Sequence, residues 1–197
     1  MRTIISMLFI TMIAFTGVSY AQDSPKVVVE KYLKAIRNNN YDDAYSFISK
    51  NDTTIINWLE LIKYTRKIAP PKLTKIIDLA HSAGRQEIVS TSVGNNSAIV
   101  KIHSRFPNMK ETLMITQDPE DIKSLLFHGE LPMKEKLGEC TLVLEAGIWK
   151  ISKVSGVSSG QAAEIATDFA ELILGKGEAE KISKKIDEFM KKREEGI

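Results

Sequence analysis

The chain carries one pattern with a catalytic precedent, Gly156-Val157-Ser158-Ser159-Gly160, which fits G-x-S-x-G. In hydrolases of that type a sharp strand-to-helix turn lifts the serine for nucleophilic attack, and a general-base histidine follows it in the sequence. Here the last histidine is His128, upstream of the serine, and the alternating strand and helix pattern of a doubly wound sheet is missing. Ser158 with Gln161 three residues later reads instead as a capping box that opens a helix. His81, His103 and His128 lack the short spacings that put two metal ligands on one face, so neither a metal nor any other cofactor is expected. Lys101, His103 and Arg105 alternate into a basic strip that faces solvent. The single thiol, Cys140, cannot form an internal disulfide and is expected to be buried in a strand as a small hydrophobe.

These residues must be positioned by helices first and strands afterwards. Ser24-Pro25 is a cap followed by proline at the first helical position, and Val28, Val29, Tyr32, Leu33 and Ile36 give that helix an apolar face. A short second helix carries Tyr41, Ala44, Tyr45 and Ile48, with Asp42 and Asp43 in the first turn where the dipole favours carboxylates. Asp52 caps a third, with Ile55, Leu59 and Ile62, which Pro70-Pro71 must stop. Leu73, Ile76, Ile77 and Ala80 mark a fourth, closed by Gly84.

Beyond Gly84 the apolar period changes to two. Gln86 to Val93 and Ser97 to Phe106 read as antiparallel strands about Gly94-Asn95-Asn96, with Ala98, Val100, Ile102 and Phe106 on the inner face. Thr112 to Thr116 is expected to continue the meander. Residues 117–138 interrupt it as an insertion with a short helix from Asp118-Pro119 to Leu126. Glu139 to Glu145 and Ile148 to Val154 close the sheet as a hairpin across Ala146-Gly147.

The totals agree with one globular domain. Lys and Arg number 27 against 25 Asp and Glu, with 43% hydrophobic residues, and a near-neutral chain lacks the basic footprint that nucleic-acid binding requires. Residues 1–21 read as a signal peptide: Arg2, the apolar run Ile4 to Val18, then Ser19-Tyr20-Ala21 before a cut at Gln22. The run is shorter than the ~20 residues of a spanning helix. The expectation is a periplasmic or secreted protein with no stable membrane insertion after cleavage.

The segments "SPKVVVEKYLKAIRNNNYDDAYSFIS", "EIVSTSVGNNSAIVKIHSRF" and "LVLEAGIWKISKV" resemble the nuclear transport factor two-like superfamily of cone-shaped domains, in particular its secreted bacterial branches. The resemblance covers about Ser24 to Val154, with weaker correspondence from Pro70 to Gly84 and a departure at the 117–138 insertion. It implies an α+β fold, with N-terminal helices packed on a curved, mostly antiparallel sheet over residues 22–156. It also implies a pocket between helices and sheet, which the superfamily uses for catalysis, ligand capture or docking. Tyr32, Tyr45 and Trp149 are the candidate ligand-lining residues, because tyrosine and tryptophan keep a polar tip that a ligand or a water can satisfy; the competing expectation for all three is plain core packing. The inward set Ala98, Val100, Ile102, Leu142, Leu144, Trp149 and Ile151 is apolar but for one indole N–H. An isomerase-like or dehydratase-like enzyme would need a carboxylate or histidine there. The favoured expectation is therefore a non-enzymatic binding or accessory module for a small apolar ligand or a protein partner, with the enzyme as the alternative.

Residues 157–197 form the remaining unit. Ala163, Ala166, Phe169, Ala170 and Ile173 stripe one helix, Gly175-Lys176-Gly177 breaks it, and Ile182, Ile186, Phe189 and Met190 stripe a second. A helical hairpin is expected, folded on the sheet's outer face, on itself or on a second copy as a homodimer.

Overall fold

The computed structural model describes residues 23–195, so the predicted signal peptide lies outside the described residues. Four helices come first: α1 (Pro25–Arg37), α2 (Tyr41–Ser46), α3 (Thr53–Ile68) and α4 (Pro71–Ala83). The starts of α1 and α3 are set by the residues expected. The Ser24 side chain accepts from Val27 N–H, with Pro25 at the first helical position, and Asp52 accepts from Ile55 N–H at 3.0 Å. Asn40 caps α2, and Pro71 opens α4 directly after α3 ends. Each cap satisfies an N–H that a helix cannot pair internally.

The sheet is an open antiparallel meander in the order β1 (Arg85–Val93), β2 (Ser97–Pro107), β3 (Met133–Glu145) and β4 (Ile148–Val154). Its register brings Ala98 opposite Leu142, Val100 opposite Cys140 and Leu144 opposite Trp149. Because side chains alternate across a strand, these residues share the face that the helices cover. Ala146 and Gly147 both have positive φ, 48° and 80°, as a two-residue hairpin turn requires. On the far edge, a bridge from Ile48 to Ile151 ties the end of α2 to β4.

Between β2 and β3 the structure departs from the expectation. Thr112 to Thr116 is not a strand but lies at the end of α5 (Met109–Ile115), followed by α6 (Pro119–His128). Met109, Thr112 and Leu113 are buried at helical spacing, and Thr112 Oγ1 donates to Asn108 O at 3.1 Å. Burial on one helical face outweighs the β preference of the threonines. β3 then begins at Met133 rather than Glu139, pairing from Met133 opposite Pro107. The excursion from the sheet is thus residues 108–132, not 117–138.

The chain ends in the expected helical hairpin, α7 (Ser159–Leu174) and α8 (Lys176–Glu194). It packs on α3 and α4 rather than on the sheet's outer face. Two apolar cores result. One joins α1, α2 and the sheet through Val29, Tyr32, Val100, Leu142 and Ile151. The other joins α4 to α8 through Leu73, Ile76, Ile122, Ala170 and Ile186. α3 serves both, with Ile55 and Leu59 in the first and Leu61 in the second.

Candidate binding cleft at the seam of two cores

A helix buried on two sides has a third stripe between them. On α3 that stripe is Trp58, Ile62, Thr65 and Arg66, at spacings of four, three and one, and α4 answers with Ile77, Ala80 and His81. Residues three or four apart share a helix face, so the two stripes meet along the seam between the cores. Two cavities open there. One, of about 270 Å³, lies among Tyr41, Trp58, Ile62, His81, Gly84 and Phe106, with Ile36 and Arg37 from α1 and the adjoining ends of β1 and β2. The other, of about 250 Å³, continues on the far side of Trp58, Ile62 and His81 and is walled by Ala162, Ile165, Ala166 and Phe169 of α7. Each lies just below the ~300–1,000 Å³ typical of ligand pockets.

The polar groups of the seam belong to one neighbourhood. Arg66 donates from Nη2 to Asp78 Oδ1 at 2.6 Å, with the arginine side chain 18% exposed. Burial and the nearby Arg66 guanidinium hold the His81 imidazole below its ordinary value, against an opposing pull from Asp78. This balance favours the neutral imidazole. Burial likewise raises the Tyr41 hydroxyl, with Asp78 adding to the rise and Arg66 opposing it. That hydroxyl donates to Asn39 Oδ1 at 3.2 Å.

The structure places the three residues expected to line a pocket in other settings. Tyr32 is 2% exposed and Trp149 8% exposed, both within the core beneath α1, and burial pushes the Tyr32 hydroxyl well up. Tyr45 is half-buried and donates to Glu60 Oε1, a carboxylate that also faces Arg193 of α8 at 3.5 Å. Burial first, then this hydrogen bond, raises the Tyr45 hydroxyl strongly. All three belong to the first core or pack against it, whereas the seam cavities are lined by other residues. Trp58 and His81 carry the seam; from the sequence alone Trp58 is not singled out and His81 is weighed only as a metal ligand, although a signal existed: Trp58 stands four residues before Ile62, and His81 four after Ile77.

The remaining motifs resolve locally. Ser158 has extended backbone, φ −150° and ψ 149°, and its hydroxyl accepts from Gln161 N–H at 3.2 Å. It is a helix cap, without the strained turn of a nucleophile elbow. Cys140 is fully buried, and burial pushes its thiol up to about 12, which suppresses thiolate reactivity. Phe106 keeps the inner parity of β2 yet is 39% exposed, because the strand end reaches past the core to the seam. His103 stands on the solvent side as expected, 3.4 Å from Glu135.

Among the described residues no group of three or more His, Cys, Asp or Glu is placed to hold a metal. No helix among them is long and apolar enough to cross a membrane. No family model, curated protein or solved structure matches the chain. The likeness to the nuclear transport factor two-like superfamily therefore stands on the sequence segments alone.

Proposed function

We propose that the protein is a secreted, non-enzymatic binding or accessory module whose seam cleft takes a small, largely apolar ligand. The observation that carries this reading is the lining of the cleft. Trp58, Ile62, Tyr41 and Phe106 supply an apolar and aromatic surface, and no Asp or Glu is among the described lining residues of either cavity. Apolar walls with a few convergent polar groups are the usual composition of a ligand site. The export part of the reading rests on the order of charge, apolar run and small residues in 1–21.

The enzyme alternative draws on His81, a neutral imidazole available as a base. A base of an isomerase-like or dehydratase-like site also needs a partner to stabilise the charge that develops; the nearby Tyr41 hydroxyl is engaged by Asn39, so that role would fall to Arg66, which lines a cavity with His81. Native mass spectrometry of detergent-free protein tests the binding reading. Wild type should carry a small co-purified mass that Ala80→Trp, which fills the cavity, does not. Solvent deuterium entering a bound ketone, and lost on His81→Gln, would instead establish the enzyme.

A further inference from the structure

Three buried polar atoms at the seam have no hydrogen-bond partner among the described residues: Thr65 Oγ1, Arg66 Nη1 and His81 Nδ1. Their residues line one cavity, the one walled by α7. Thr65 is 8% exposed as a whole residue, so its hydroxyl has exchanged water for nothing that the chain provides. Buried polar groups are nearly always paired, and an orphan loses the full hydration of that group. Arg66 is committed by only half, since Nη2 serves Asp78 while Nη1 is left over. An unpaired guanidinium N–H and an unpaired hydroxyl from two residues that line one cavity suit an acceptor with two oxygens. A carboxylate supplies that geometry, and arginine recognises it better than a single-oxygen head.

The rest of the wall calls for hydrocarbon. Trp58, Ile62 and Phe169 line the same space, and Ile165, also on the wall, is 53% exposed and marks where the cavity meets solvent. Beyond Trp58 the second cavity extends the apolar track towards β2. Building on the binding reading above, we propose that the seam takes an amphipathic monocarboxylate. Its carboxylate accepts from Arg66 Nη1–H and Thr65 Oγ1–H after a turn of the two side chains brings these atoms, which have no open surface in this structure, to the cavity wall. Its apolar body lies along Trp58, Ile62 and Phe169. The α7–α8 hairpin is then one wall of the binding site as well as a cover for the second core.

Calorimetric titration with decanoate and with decanol separates head from body, using wild type, Thr65→Val, Arg66→Lys and Ala166→Trp. Decanoate should bind wild type at least about tenfold more tightly than decanol, the worth of one charge-assisted hydrogen bond. Thr65→Val should lose most of that preference while melting no lower than wild type, because it removes an unpaired buried hydroxyl. Arg66→Lys keeps the charge and should lose affinity for decanoate alone. Ala166→Trp should abolish binding of both. Equal binding of the two probes to wild type, with both blocked by Ala166→Trp, would overturn the carboxylate assignment and leave the apolar cleft standing. Binding of neither probe to wild type, or binding that Ala166→Trp leaves untouched, would remove the cleft and the head-group assignment together.

Discussion

Individual side chains separate packing from chemistry in this molecule. Trp149 sits opposite Leu144 and is 8% exposed, so Trp149→Ala should cost about 3–5 kcal/mol, as deletion of a large core aromatic does. Chemical denaturation measures this, and a loss below about 1 kcal/mol would place the indole outside the core. His81 is different, because its imidazole is held below the ordinary value of 6.5 by burial and by Arg66. The folded state then binds fewer protons than the unfolded chain, so stability from this group is fully present above pH 6.5 and is lost as pH falls through the folded value. Burial and Arg66 lower it, and Asp78 opposes them. NMR titration should find His81 below 6.5, and His81→Gln should flatten the decline in stability on the acid side; an unshifted or raised value would contradict the burial. Ser158→Ala should remove a helix cap, worth about 1 kcal/mol, as urea denaturation would read. An unchanged unfolding midpoint would show that the Ser158 hydroxyl contributes nothing as a cap.

Elements were legible in proportion to how much their residues had to say locally. α1 and α3 carry side-chain caps and apolar stripes, and their starts lie where Ser24 and Asp52 put them. The hairpin of β3 and β4 announced itself through Ala146-Gly147. The first half of β3 did not: in Met133–Gly138 the residues Lys134, Glu135, Lys136 and Leu137 are all exposed. That segment is a strand because β2 offers it a ladder from Ile102 to Pro107, which alternation within the segment cannot reveal. α5 differs for the opposite reason, since Thr112 and the following Thr116 look like strand residues until Met109 and Leu113 find a core. The α7–α8 hairpin was visible from its stripes, whereas its seat on α3 and α4 depends on a second core that no single stripe discloses. Ile186 of α8 is fully buried there, and Phe189 stacks on Tyr64 at 4.2 Å. Ile186→Ala should therefore cost about 2–5 kcal/mol, and truncation after Val154 should yield a chain that melts lower and self-associates. An unchanged melting temperature with a clean monomer by gel filtration would show the hairpin to be a free arm.

At the scale of the whole molecule, one helix shared by two cores determines where the seam cavities open. The aromatic residues that stand out in the sequence, Tyr32 and Trp149, are consumed by the first core. The cleft opens where α3 turns its remaining stripe towards α4 and α7, so the site is a property of the assembled chain and was not written in any one element. Export, if residues 1–21 act as read, should give material from the periplasm or medium whose intact mass begins at Gln22. Full-length protein confined to the membrane fraction would contradict it. The most direct test of the seam is an NMR titration of the ¹⁵N-labelled protein with 1-anilinonaphthalene-8-sulfonate, an anionic probe with an apolar aromatic body. Signals of Trp58, Ile62 and His81 should shift together, while the Trp149 indole and the amide of Tyr32 stay in place; shifts centred on Trp149 and Tyr32, or no saturable shifts at all, would contradict the account.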